Sequence, residues 1–247
     1  MKSVRTAFVL LIIWELAVYL FQIPEFLLPA PHQIIQRLVS ELTQPYMHTH
    51  IAVTLLVSLH GLFQGIVIGV VTGWIFYHNP FIRDYFAWLA MGSQAVPVIA
   101  LAPLFLIWIP ETYWARVWVA TIITFFPIYS ATFTALQRIA PELREVARLY
   151  GATRWQTLHY LESMQAAPVI LSGIQTSMAL ATTGAVVGEF LGGRDGLGAL
   201  INVARGLFDT TLVFVSITLL VVITVIFHIF ITVLAQKINS IADGTRN

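Results

Sequence analysis

The chain has 247 residues, of which 58% are hydrophobic and 10% charged, with a net charge of +1 and no cysteine. Soluble globular domains carry about 25% charged residues, so this composition excludes that class and points to a polytopic membrane protein. The small net charge supplies no field for nucleic acid, and the lack of cysteine excludes disulfides, thiolate metal sites and a cysteine nucleophile.

A helix crossing the hydrocarbon core needs about 20 mostly apolar residues. Backbone polar groups in lipid must be satisfied internally, so the spans are expected to be helices or strands of a closed barrel. Runs such as LVFVSITLLVVITVIFHIFITVLA do not alternate as barrel strands do, which leaves an all-α protein. Six spans are predicted, at about 6–23, 51–76, 86–109, 117–136, 168–190 and 211–235. With no internal repeat, low-complexity tract or linker, residues 1–247 read as one transmembrane unit.

The first segment, MKSVRTAFVLLIIWELAVYLFQIPEF, places Lys2 and Arg5 before an apolar run. Its length, the acid Glu15 and the absence of an A-x-A-like site favour an uncleaved span over a signal peptide. Glu15 is expected to hydrogen-bond a neighbouring helix rather than to relay protons. Residues 24–50 carry Ile34, Ile35, Leu38, Val39 and Leu42 at helical spacing between Pro31 and Pro45, which predicts an amphipathic helix on the membrane surface. His48 and His50 offer two nitrogens, short of a four-ligand shell, so no metal is expected. In span two, His60 and Gln64 lie one turn apart and are candidates to face a pore. His60 and His228 are read as satisfied buried side chains rather than metal ligands. Pro97, Pro103, Pro110 and Pro127 should kink or break spans three and four.

Between spans four and five runs PELREVARLYGATRWQTLHYLESM. Two short helices are predicted within a segment of about 137–167. Pro141 suits a first helical position and Glu142 the first turn. Leu143, Val146, Ala147 and Tyr150 make one apolar stripe, Glu145 and Arg148 can pair on the opposing side, and Gly151 is a natural stop. The second helix, from Thr153, holds Trp155, Leu158 and Leu161. If the N-terminus is cytoplasmic, that side carries nine Lys and Arg residues against four opposite, much of the excess in this segment. A plain connection needs only two to eight residues. The alternatives are a helix lying on lipid headgroups or a docking element for a cytoplasmic partner. In span five, Ser172, Gly173, Ser177, Ala181, Gly184 and Ala185 allow close backbone approach. The stretch EFLGGRDGLGALINVARGLFDT that follows has five glycines and reads equally as a plain flexible loop or as a segment that re-enters the membrane or lines an outer mouth.

The spacing Glu145-Val146-Ala147-x-x-x-Gly151, with Leu161 after nine further residues, resembles the E-A-A-x-x-x-G…I-x-L-P loop of permease subunits in binding-protein-dependent ABC importers. LPAPHQII, VPVIALAPLFLIW, FFPIYSATFTALQRIAPEL and VVGEFLGGRDGLGALI extend the likeness over most of the chain, toward the sulfonate, taurine and nitrate branch that also includes riboflavin and thiamine-precursor permeases. The chain departs at the loop's end, where Leu161-Glu162-Ser163-Met164 lacks the proline. The resemblance implies a six-helix permease of the bacterial inner membrane. Glu145, Ala147, Arg148, Tyr150 and Gly151 would couple it to a cytoplasmic ATPase subunit. Glu189 would lie with His60, Gln64 and Ser177 along the translocation path; pairing with Arg194 or Arg205 is the alternative for its carboxylate. It also implies an extracytoplasmic solute-binding protein and a homodimer around one path.

ATP would be bound by the partner, because this chain has no G-x-x-x-x-G-K-[ST] phosphate loop and its only lysines are Lys2 and Lys237. No cofactor and no catalysis are expected of the chain itself. Abundant aromatics incline the substrate toward a flat vitamin-like heterocycle such as riboflavin or a pyrimidine precursor. The same machinery carrying sulfonate, taurine, nitrate or bicarbonate is the alternative. An ion-coupled secondary transporter is the competing class, with Glu15 and Glu189 as its only intramembrane acids.

Overall fold

The computed structural model describes residues 2–95 and 97–244, with side chains for 5–6, 8–89, 91–92 and 97–233. Arg246 and the side chains of Lys2 and Lys237, used in the orientation count, lie outside the described residues. The described chain is helical, in the order α1 (Lys2–Leu20), α2 (Pro31–Leu42), α3 (Pro45–His78), α4 (Pro80–Ala95), α5 (Val98–Trp108), α6 (Thr112–Gln137), α7 (Pro141–Leu149), α8 (Arg154–Gln156), α9 (Ser163–Gly192), α10 (Leu197–Gly206) and α11 (Thr210–Gly244). A π-helical turn, Thr157–Glu162, joins α8 to α9. Four stretches are long and apolar enough to cross a membrane: Pro45–His78, Thr112–Gln137, Arg154–Gly192 and Thr210–Val233. Phe8–Leu20 and Val98–Trp108 are shorter apolar helices at the first and third expected positions.

Span three, over 86–109, is broken at Pro97 as its prolines predict: α4 ends at Ala95 and Pro97 caps α5, because proline has no N–H to continue the ladder. Pro103 and Pro127 are instead accommodated inside α5 and α6, and Pro110 follows the end of α5. One expectation needs correction: the second helix of the connecting segment is not separate. It continues through the π-helical turn into α9 as one 39-residue stretch.

The centre of the molecule is α6 held between α3 and α9. Gly61, Gly65, Gly69 and Gly73 recur every fourth residue along one face of α3 and lie against Ala120, Thr124, Ile128 and Thr132 of α6. A Cβ at Gly61 or Gly65 would overlap the Ala120 or Thr124 side chain. From α9, Gly173 abuts Ala131 and Gly184 abuts Ala120. Glycine at these points lets backbones approach without a side chain between them, which is how helices gain dispersion energy in lipid. Most of the small residues noted in span five are thus spent inside the chain: Ser177, Ala181, Gly184 and Ala185 are buried, and Ser172 alone of the set is exposed.

Around this centre, α11 packs with α2 and α10 through Ile34, Leu197, Leu200, Leu212, Val215 and Leu219. The amphipathic α2 begins at Pro31 as expected and turns Ile34 and Leu38 inward, while Ile35, Val39 and Leu42 face outward. Glu15 Oε1 and His32 Nδ1 lie 2.6 Å apart, so the acid of α1 bonds to α2 as anticipated. The glycine-rich stretch is neither a loose loop nor a bare connection: it contains α10, whose Leu197, Gly198, Ala199, Leu200 and Ala204 are buried. The C-terminal ends of α3 and α6 and the N-terminal end of α9 meet at the α7 end of the bundle, and α2 and α10 close the other end.

Candidate functional site

The α7 segment folds as its residues dictate. Pro141 occupies the first turn, Glu142 sits near the positive end of the helix dipole and Arg148 near the negative end. At the C-terminus, the Gly151 N–H donates to Arg148 O (2.9 Å) and the Ala152 N–H donates to Ala147 O (2.9 Å). With Gly151 at φ +72°, this is the Schellman closure that glycine makes without steric penalty. None of the α7 residues is buried. Leu149 and Tyr150 are 85% and 88% exposed, and Leu143, Val146, Trp155 and Tyr160 are exposed as well. An amphipathic helix that leaves its apolar residues uncovered is built for a surface it meets elsewhere. The expected Glu145–Arg148 pair does not form, since neither side chain makes an ion pair among the described residues. Such exposed pairs are worth only tenths of a kcal/mol. Arg148 instead lines a cavity of about 520 Å³ with Trp74, His78, Arg144, Arg154 and Glu162.

After Gly151, Thr153 caps α8: its hydroxyl accepts from the Gln156 N–H (3.3 Å), and the Gln156 side chain accepts from the Thr153 N–H (2.8 Å). The loop ends in a cluster that the sequence reading missed. Glu162, 2% exposed, accepts from Arg144 Nε (3.3 Å) and lies 3.0 Å from His78 Nε2. Arg144 also donates to Ile139 O (3.2 Å) and Leu136 O (3.0 Å), and its guanidinium lies 4.9 Å from the centre of the Tyr77 ring. An acid eighteen residues from its arginine leaves no periodic trace.

Each of the four residues expected along a path has a hydrogen-bond partner of its own. His60 Nδ1 lies 2.6 Å from Tyr113 Oη, and Gln64 Oε1 accepts from Thr121 Oγ1 (3.0 Å), both across the α3–α6 seam. Ser177 is fully buried and donates to Thr124 O (3.3 Å). Glu189, also fully buried, accepts from Thr54 Oγ1 (3.0 Å) and from the Gly198 N–H (2.9 Å). It therefore fastens α10 to α9 and α3 and pairs with neither Arg194 nor Arg205. Arg205 bonds Asn202 and lies over the Phe190 ring. Gly196, at φ +112°, leaves room for that carboxylate, which a Cβ there would overlap. His50 is engaged too, its Nδ1 accepting from the Gly196 N–H (3.0 Å). His60 and His228 are exposed, not buried as anticipated, and no group of three or more metal-binding side chains forms among the described residues.

What α9 does leave open is the opposite stripe: Pro168, Ser172, Thr176, Ala179 and Thr183, at three- and four-residue spacing, are all exposed. The Thr176 and Thr183 hydroxyls donate to the carbonyls of Ser172 and Ala179, so this small, mildly polar face has satisfied donors.

Residues 65–240 match the family model described as the binding-protein-dependent transport system inner membrane component. The riboflavin transport system permease protein RibX of Chloroflexus aurantiacus is 42% identical over 224 residues, covering 91% of this chain and 84% of that one. The formylaminopyrimidine transport permease protein ThiX of Halalkalibacterium halodurans is 34% identical over 211 residues, 85% of this chain and 84% of that one. Among solved structures, an inward-facing form of the MetNI methionine ABC transporter superposes with a TM-score of 0.69 at 18% identity, over 76% of this chain and 94% of that one.

Proposed function

Because the chain belongs to the family of inner-membrane components of binding-protein-dependent transport systems, we propose that α7 is the element through which a cytoplasmic ATPase drives it. The chain is a multi-pass permease subunit of an ATP-driven importer in the cell membrane. On this reading residues 1–247 work as one permease unit without catalysis of their own, and ATP is bound by two ATPase subunits. The observation that carries the coupling role is the glycine-closed α7, with no buried residue, at one end of the bundle. Leu143, Val146, Ala147 and Tyr150 would enter an apolar groove on the ATPase, with Glu145, Arg148 and Arg154 at its rim. Gly151 would set the angle at which the chain turns back to α8.

Two copies would face each other through the open Ser172–Thr176–Thr183 stripe and enclose one path. An extracytoplasmic solute-binding protein would deliver the substrate at the α2 and α10 end. Glu189, His60, Gln64 and Ser177 would then shape the walls from behind, by fixing how α3, α6, α9 and α10 pack. Riboflavin, or a related flat heterocycle, is the substrate this account favours, supported by relatives named for riboflavin and for a formylaminopyrimidine. Proteoliposomes holding the permease, its ATPase and its solute-binding protein should accumulate riboflavin only with ATP, and taurine or an aliphatic sulfonate poorly. Uptake at full rate without the ATPase, driven by an ion gradient, would refute the reading.

A further inference from the structure

No residue of α7 is buried, so apolar packing holds this helix to the bundle only lightly. Among the described residues, the side-chain hydrogen bonds from α7 to the rest of the bundle all come from Arg144. Arg144 reaches out of α7 and donates to Leu136 O and Ile139 O at the C-terminal end of α6 (3.0 and 3.2 Å). Those carbonyls lack intrahelical donors, and the negative end of the helix favours a cation there. The same guanidinium lies over Tyr77 of α3 and donates to Glu162 Oε1, immediately before α9. His78 of α3 contacts the other oxygen of Glu162. One cation from the exposed helix thus touches α3, α6 and the start of α9. Glu162 is 2% exposed, and a buried acid stripped of its cation is costly, so a moving Arg144 tends to carry Glu162 with it.

The helix on the far side of this contact is not regular. Thr157–Glu162 is π-helical, with Glu162 its last residue. A π turn has a widened, weaker ladder and often marks a functional site. It stands where this chain carries Leu161-Glu162-Ser163-Met164 in place of a proline-ended loop.

We propose that Arg144 is the positioning residue that transmits displacement of α7 to α3, α6 and α9 together, with Glu162 as its grip on α9 and the π-helical turn as the joint that yields. The proposal rests on the reading of α7 as the ATPase-coupling helix. It goes beyond that reading by naming the internal connection, which lies on the bundle side of α7 and needs no contact with the ATPase.

The test is the ratio of riboflavin imported to ATP hydrolysed, measured in proteoliposomes containing the complete complex. Arg144→Ala should assemble with the ATPase and hydrolyse ATP, yet import about tenfold less riboflavin per ATP. Arg144→Lys, which keeps the charge but not the fork that spans Glu162 and both carbonyls, should recover part of the ratio. Glu162→Gln, nearly isosteric, should lower it and carries the test if Arg144→Ala does not assemble. Ratios within twofold of the parent in an assembled Arg144→Ala or Glu162→Gln complex overturn the proposal. So does a parallel loss of uptake and hydrolysis, which marks a structural staple. A parent complex without ATP-dependent uptake overturns the proposed function instead, so the two failures are distinguishable.

Discussion

The long helix that runs from α8 through α9 buries a glutamate near each end, and the two are held in different ways. Glu189 is gripped by a backbone N–H of α10 and by the Thr54 hydroxyl of α3, with Gly196 folded tightly over its carboxylate. One donor is backbone and the other is the short side chain of a fully buried threonine, so neither has reach to move. Glu162 is held by Arg144 and His78, long or rotatable side chains, and the arginine comes from a helix with no buried residue. A carboxylate held by backbone and a short buried hydroxyl makes a fixed corner. One held by long side chains makes a connection with room to move. The molecule thus has a tightly held end at α10 and, under the proposed coupling, a driven end at α7, with a glycine-packed α3–α6–α9 unit between them that would move as a body.

Substitutions at the two ends should therefore fail differently. The largest loss is expected for Gly196→Val, which combines a φ of +112° with side-chain overlap on Glu189. Destabilisation of about 4 kcal/mol is predicted, seen as lost thermal stability in detergent. Glu189→Ala leaves the buried Gly198 N–H without its acceptor, while the Thr54 hydroxyl falls back on His50 O, at about 2 kcal/mol. A melting temperature unchanged by that substitution would contradict the fixed-corner assignment. At the other end, Gly151→Ala keeps the fold but strains the φ of +72° that closes α7, costing about 1 kcal/mol. Its uptake should fall well beyond what that stability loss explains, while its melting stays close to the parent. Smallest is Glu15→Gln, which keeps a side-chain carbonyl oxygen able to accept from His32. Within about 0.5 kcal/mol of the parent is predicted, and a larger loss would mean that α1 is more firmly seated than its few contacts imply.

Sequence reading reached furthest where structure is local. The α7 cap was legible because Gly151 lies next to the stripe it terminates, and α2 because prolines bracket it. The Gly61–Gly65–Gly69–Gly73 ladder was equally periodic and could have been read from the four-residue spacing. Its meaning depends on α6, whose matching Ala120, Thr124, Ile128 and Thr132 are about sixty residues away. The helix α10 was hidden because its glycines look like loop, and only the distant Thr54 and the buried Glu189 give them a reason. Ser177 stands out as a small residue of span five, and it groups with Glu189, His60 and Gln64 as candidates to line a path. Their hydrogen bonds lie in the seams between helices, because burying such groups unpaired is costly. The open face of α9 was harder to see, since its hydroxyls are modest residues whose distinction is only that none of the described residues covers them.

The absence of cysteine allows the central claim to be tested with one introduced thiol. Leu149→Cys places that thiol at the 85% exposed end of α7. In intact cells depleted of the ATPase, a membrane-impermeant maleimide should fail to reach it from outside. In inverted vesicles the same reagent should label it fully, and assembly with the ATPase should then protect it by about tenfold. Labelling from the external face, or full labelling of an assembled complex, would contradict the account.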